Sequence, residues 1–247
     1  MLKAGKGREA FYLLVQWMAK GSEALVSNDA YLTSVWQMNN TVAERYNNPG
    51  TFTSLIGYEW TSQPGGGNLH RVVIFRDDKV LTDRILPFSA FDSEDVEDLW
   101  AFMAAYESQL GGRVLAIPHN GNLSSGTMFL PQHQKSQMAI DADYARMRQR
   151  FEPITEVTQA KGTGETHPLL SPEDEFANFN IVDNSNLGGI KPTTPEMIPY
   201  EYAREALRRG LQLEQELGVN PFKFGLIGST DSHSSLPSTA EDNWWGK

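Results

Sequence analysis

Glu59, His119, Glu156, Asp231 and His233 carry side chains that bind metal ions or move protons, and each lies in or directly after a short apolar run. Glu59 follows Leu55-Ile56-Gly57-Tyr58. His119 follows Val114-Leu115-Ala116-Ile117-Pro118. Glu156 lies inside Ile154-Thr155-Glu156-Val157-Thr158, and Asp231 and His233 close a run that opens at Phe224. Runs of this length bounded by turn residues read as buried strands. The C-terminal ends of strands are where barrels and open α/β sheets build their sites. Asp231-Ser232-His233 is the sharpest signal, because i, i+2 spacing in extended chain puts both side chains on one face. One oxygen and one nitrogen ligand then meet the same cation, a mixture that suits Zn²⁺, Mn²⁺ or Fe²⁺ better than Ca²⁺ or Mg²⁺. A hydrogen-bonded surface turn would use the same three residues.

The other candidates are open in the same way. Glu59 reads as a buried, hydrogen-bonded carboxylate or as one that bridges two metals. His119 leaves a buried strand into a Gly/Asn turn, as a structural histidine or as a ligand. His70 precedes a strand, so its position says less. Arg71 reads as a contact for an anionic substrate group or as a partner for a surface acid. His167, in Glu165-Thr166-His167-Pro168, sits in a long loop as a proton donor or as an exposed side chain, and His133 reads as solvated.

The elements that must position these residues follow from periodicity. Helical spacing links Phe11 to Met18 and Leu32 to Val42; Asn28 or Asp29 caps the second helix and Asn47-Asn48-Pro49-Gly50 ends it. Strands are predicted over 52–59, 71–75, 114–117, 154–158 and 224–229. A helix capped by Ser93 has Val96, Leu99, Trp100, Met103 and Tyr106 on its apolar face. A polar helix covers 142–150, and another covers 201–217 with Gly218 as its C-cap. Strands alternating with helices predict an α/β fold with right-handed crossovers and a largely parallel sheet. Two long stretches, 121–137 and 161–199, read as functional loops or embellishments.

Composition sets limits. The 247 residues suit one α/β domain, and a formal net charge of −10 argues against a nucleic-acid groove. Bound cations can reverse a local field, so an anionic substrate stays compatible with an acidic chain. There is no cysteine, hence no disulfide, thiolate metal site or cysteine nucleophile. No apolar run approaches the ~18–20 residues that span a bilayer, so no membrane partner is expected.

Several segments resemble a branch of the PHP (polymerase and histidinol phosphatase) superfamily. They are Ile56-Gly57-Tyr58-Glu59-Trp60-Thr61-Ser62, Asn68-Leu69-His70-Arg71, the run from Ala116 to Ser124, Glu156-Val157-Thr158-Gln159, Glu165-Thr166-His167-Pro168 and Gly228-Ser229-Thr230-Asp231-Ser232-His233. The resemblance implies a distorted (β/α) barrel with divalent metals at the strand ends. It implies Glu59 as a bridging carboxylate, His70 and His119 as mid-chain ligands, and Asp231 and His233 as a closing pair. Glu156 would lie nearby. Two opening motifs of that superfamily, His-x-His and Asp-His, are absent here. The expectation is therefore a partial barrel in a single domain over 1–247, incomplete at both ends.

The activity so implied is hydrolysis of a phosphate ester, or a related small anionic ester, by metal-activated water. Glu59, His167 and Arg71 are the catalytic candidates, and Lys161 is a further candidate for substrate contact. Zn, Mn or Fe would be the cofactor. The alternative is a metal- or ligand-binding piece of the same scaffold without catalysis.

Overall fold

The computed structural model describes residues 29–233 and Asp242. The helix expected around Phe11 to Met18 lies outside the described residues. The chain divides into two compact units, residues 1–56 with 78–87, and residues 57–77 with 88–247.

In the first unit, α1 (Asp29–Tyr46) and the short α2 (Lys79–Thr82) meet through polar contacts. Residues four apart stack on one helix face, and Trp36, Asn40 and Glu44 form that row. The Trp36 indole donates to the Thr82 carbonyl at 2.8 Å, and the Asn40 amide to Asp83 at 2.9 Å. Glu44 accepts the Lys79 N–H at 2.7 Å. The buried stripe of α1 is thus narrower than its sequence pattern predicts, since Val35 and Val42 are exposed.

The second unit carries two three-stranded sheets. One has the order β1 (Ile56–Trp60), β2 (Arg71–Phe75), β3 (Val114–Pro118). The other places β4 (Ile154–Gln159) between β5 (Gly162–Thr163) and β6 (Gly225–Gly228). Gly57 lets β1 approach β2, for a Cβ there would lie 2.6 Å from the Val73 carbonyl oxygen. Around the sheets run α3 (Val96–Leu110), α4 (Ala142–Phe151) and α5 (Ala203–Leu217). The N-cap of α3 is Asp95, whose carboxylate accepts the Glu97 N–H at 2.9 Å. The predicted cap, Ser93, instead accepts the Asp95 N–H and donates to Asp98. Gly111 and Gly218 end α3 and α5 in the left-handed conformation, each N–H returning to a carbonyl of the last turn.

The largely parallel sheet expected from strand–helix alternation does not form. β4 and β6 pair in parallel, but β4 and β5 are antiparallel and so are β2 and β3, with Arg71 opposite Pro118 and Phe75 opposite Val114. The reason lies in the connection. The long segment from Arg76 to Asp95 precedes α3, and Gly111-Gly112-Arg113 then drops the chain directly into β3 beside the end of β2. Nor is a barrel closed among the described residues. The ladder stops between β3 and β4, where the Thr155 hydroxyl donates to the Pro118 carbonyl at 3.1 Å in its place. The fold is mixed α/β with two small sheets.

Candidate metal centre

The antiparallel register of β2 and β3 sets His70, just before β2, beside His119, just after β3. Their rings lie edge to face with centroids 5.9 Å apart. Glu59, near the end of β1, completes the group: its Oε1 is 2.9 Å from His70 Nδ1 and 3.0 Å from His119 Nε2. The parallel pairing of β4 with β6 brings the ends of both strands to one edge, so the segment after β6 runs past Gln159. There His233 Nε2 stands 3.3 Å from Glu59 Oε2. Two sets of ligand-type atoms result, Glu59 with His70 and His119, and Glu59 with Asp231 and His233, the atoms of each set lying within 4.8 Å of one another.

The tautomers give these contacts their chemical meaning. His119 Nδ1 faces the Ile117 carbonyl at 3.4 Å, and His233 Nδ1 faces the Asp231 carbonyl at 2.9 Å. A carbonyl only accepts, and so does a carboxylate, so both ring nitrogens of each histidine face acceptors while a neutral ring carries one proton. With that proton on Nδ1, Nε2 turns a lone pair to the carboxylate oxygen, a contact that a cation between them would relieve; with it on Nε2, the ring donates to Glu59. Metal-binding histidines are oriented in the first way, by an N–H donated outward to a carbonyl. His70 adds a buried Nε2 with no partner. Burial pushes the His70 imidazole down in pKa against the opposing pull of Glu59. Burial would raise the Glu59 carboxyl, but hydrogen bonds from His119 and His70 outweigh it and hold the group well below the usual carboxylate range.

A chain of amides fixes Asp231. The Lys161 backbone N–H donates to Gln159 Oε1 at 2.6 Å, which orients that side-chain amide. Gln159 Nε2 therefore donates to Asn120 Oδ1 at 2.6 Å and to Asp231 Oδ2 at 2.5 Å. The Lys161 ammonium meets the same Asp231 oxygen at 2.5 Å. Asn120 and Asp231 both take positive φ, 52° and 51°. Asn and Asp tolerate that region best among residues with a side chain, and such turns cluster at functional sites. Glu156 lies beside the centre, bonded to the Ser229 hydroxyl; burial raises its pKa, and the charges of His119 and Lys161 pull it down while that of Asp231 adds to the rise.

The remaining candidates are elsewhere. Arg71 is 1 % exposed; its guanidinium pairs with Glu152 at 3.0 Å and bonds to the Leu69 carbonyl, which places it as a core cation. Strand alternation explains this, for His70 and Arg71 point to opposite faces. His167 is buried, not an exposed loop side chain. Its Nδ1 accepts the Leu169 N–H at 3.1 Å, so Nε2 carries the proton and donates to Asp183 at 3.1 Å, apart from the Glu59 group. His133 bonds to Glu97 and packs on Tyr144. Sequence pattern alone does not single out Gln159 and Asn120, although both are polar residues at strand ends.

One family matches the chain, described as "Protein of unknown function (DUF3604)", over residues 9–247. The chain belongs to the DUF3604 family. The family match is to DUF3604 and not to the PHP superfamily, so that resemblance is corrected; the described residues form two small sheets and no closed barrel. No curated protein and no solved structure matches this DUF3604 chain.

Proposed function

We propose that this DUF3604 chain is a metal-dependent hydrolase of phosphate esters or related small anionic esters. One observation carries the reading: a single carboxylate, Glu59, turns Oε1 to His70 and His119 and Oε2 to His233, with Asp231 completing the second set. Two ligand sets that share one carboxylate suit a pair of cations, and mixed nitrogen and oxygen donors suit Zn, Mn or Fe. Cations held there would lower the pKa of a bound water and offset negative charge on the ester during displacement. The chain's own residues orient the ligands, with the Ile117 and Asp231 carbonyls fixing the two rings and Gln159 fixing Asp231. In the reaction the water oxygen bonds to phosphorus, the ester P–O bond breaks, and the alcohol leaves with a proton.

The test is hydrolysis of p-nitrophenyl phosphate and bis(p-nitrophenyl) phosphate by the purified chain, with and without added Mn²⁺ or Zn²⁺. Turnover that needs the metal and vanishes in Asp231→Ala is expected. Metal uptake with no turnover of any ester would instead leave a non-catalytic metal-binding domain, and no uptake at all would sink both readings.

A further inference from the structure

Lys161 reaches the centre from the turn between β4 and β5, and its backbone is fixed on both sides. Its N–H donates to Gln159 Oε1 at 2.6 Å, and its carbonyl accepts from the Asn122 amide at 3.1 Å. From this anchored position the ammonium lies 2.5 Å from Asp231 Oδ2. Its positive charge is felt at His70 and at Glu156 as well. The side chain is 23 % exposed. A lysine here is a compact point charge on a flexible stem, able to exchange one anionic partner for another without moving the backbone.

We propose that Lys161 is the anion-binding arm of this centre, taking a charged oxygen of a tetrahedral oxyanion group such as phosphoryl. The inference rests on the metal-centre reading and assigns the substrate's charged group a protein partner. The argument is one of charge. Asp231 cannot give its oxygens fully to a divalent cation and also to the ammonium. Once a cation sits at Asp231, it shares the carboxylate's charge, and the ammonium beside it is left less well neutralised. An oxyanion lying between cation and ammonium restores the balance. Binding of cation at Asp231 and of anion at Lys161 then favour each other, and thermodynamic linkage makes the effect reciprocal. Neutral carboxylic esters gain nothing from this arm, so the centre prefers esters whose non-bridging oxygens are charged.

The experiment titrates Mn²⁺ and then inorganic phosphate into the full chain by calorimetry, for wild type, Lys161→Gln and Lys161→Arg. Lys161→Gln should bind Mn²⁺ as tightly as wild type or tighter, because a competing cation is gone. It should bind inorganic phosphate about 10- to 100-fold more weakly, the range of one charge-assisted hydrogen bond. Lys161→Arg should recover most of the phosphate affinity. Unchanged phosphate affinity in Lys161→Gln overturns the inference and leaves Lys161 as a structural counter-charge for Asp231. Loss of Mn²⁺ binding in Lys161→Gln overturns it too. If wild type binds no Mn²⁺, the metal-centre reading falls and the inference with it. If wild type binds both probes yet turns over no ester, only the catalytic reading fails and the anion arm stands.

Discussion

Arg71 stands opposite Pro118 in the antiparallel ladder of β2 and β3, and that register alone brings His70 to His119. Glu59 joins them from β1, whose approach to β2 depends on Gly57 lying against the Val73 carbonyl. Gly57→Ala places a Cβ 2.6 Å from that oxygen, so the strands must part. Overpacking of this kind costs about 1–3 kcal/mol. Gly57→Ala should lower the unfolding free energy by that amount, read as a lower urea midpoint, and also weaken metal uptake, since Glu59 is two residues along. A stable variant with unchanged metal affinity would show that β1 is not what holds Glu59 in place.

The two ligand sets predict a pattern of metal loss. His119→Ala should abolish one binding event, Asp231→Ala the other, and Glu59→Gln should weaken both. Each loss should exceed the roughly 10–100-fold cost usual for removing a mere orienting partner of a ligand. Metal content after dialysis, with a titration for each variant, reads this directly. Identical losses in His119→Ala and Asp231→Ala would mean one cation shared by all five side chains.

Glu152 holds the buried charge network together. It takes Arg71 at 3.0 Å and Arg148 at 3.1 Å, and it accepts from the Trp100 indole at 3.1 Å. Burial lowers the Arg71 pKa, while the Glu152 carboxylate beside it raises it. Removing one partner strands the others without compensation, at a cost of about 3–5 kcal/mol. Glu152→Ala should therefore unfold at much lower urea. Arg71→Met, which leaves Arg148 to pair with Glu152, should lose less. A folded Arg71→Met chain should bind phosphate as wild type does, because the guanidinium is a core group; a specific loss of phosphate affinity would contradict that placement.

Much of this is legible in the sequence where local chemistry decides. The strand at Arg71 to Phe75 and the helix at Ala142 stand out from their patterns, and Gly218 marks a helix end because only glycine takes that backbone freely. Strand-end position suggests the convergence of Glu59, His119, Asp231 and His233. His70 is not separable in the same way, since it precedes its strand, and only an antiparallel neighbour turns a strand's start into the same edge as another strand's end. The direction of β3 depends on the path of the long segment before α3, which no local pattern encodes. Arg71 reads as a surface cation because its partner Glu152 lies 81 positions away in sequence. Gln159 carries no recognisable signal beyond its place after an apolar strand.

Glu201 predicts a pH dependence of stability. Its carboxyl is fully buried, accepts the Gly126 N–H at 2.8 Å through Oε1, and leaves Oε2 without a partner. Burial pushes its pKa up to about 8, the Gly126 hydrogen bond opposes the shift, and the negative charge of Asp183 adds to it. The buried Tyr202 hydroxyl, also without a partner, is its neighbour in the chain, and the His167 ring that bonds to Asp183 packs on Tyr202. A raised carboxyl pKa means that the folded chain keeps a proton which the unfolded chain gives up near 4.5. The group therefore contributes its full stability below that pH, and the contribution is lost as pH rises through about 8. A tenfold difference in proton affinity between folded and unfolded chain corresponds to about 1.4 kcal/mol, so the change across this window is on the order of a few kcal/mol. Glu59 works in the opposite direction and loses its contribution in acid, so wild type alone gives a mixed profile. The difference between wild type and Glu201→Gln isolates the one group. Urea midpoints at pH 5, 6.5 and 8 should show wild type falling relative to Glu201→Gln as pH rises, whereas parallel profiles would mean that Glu201 is ionised in the folded chain and its Oε2 has found a partner in solution.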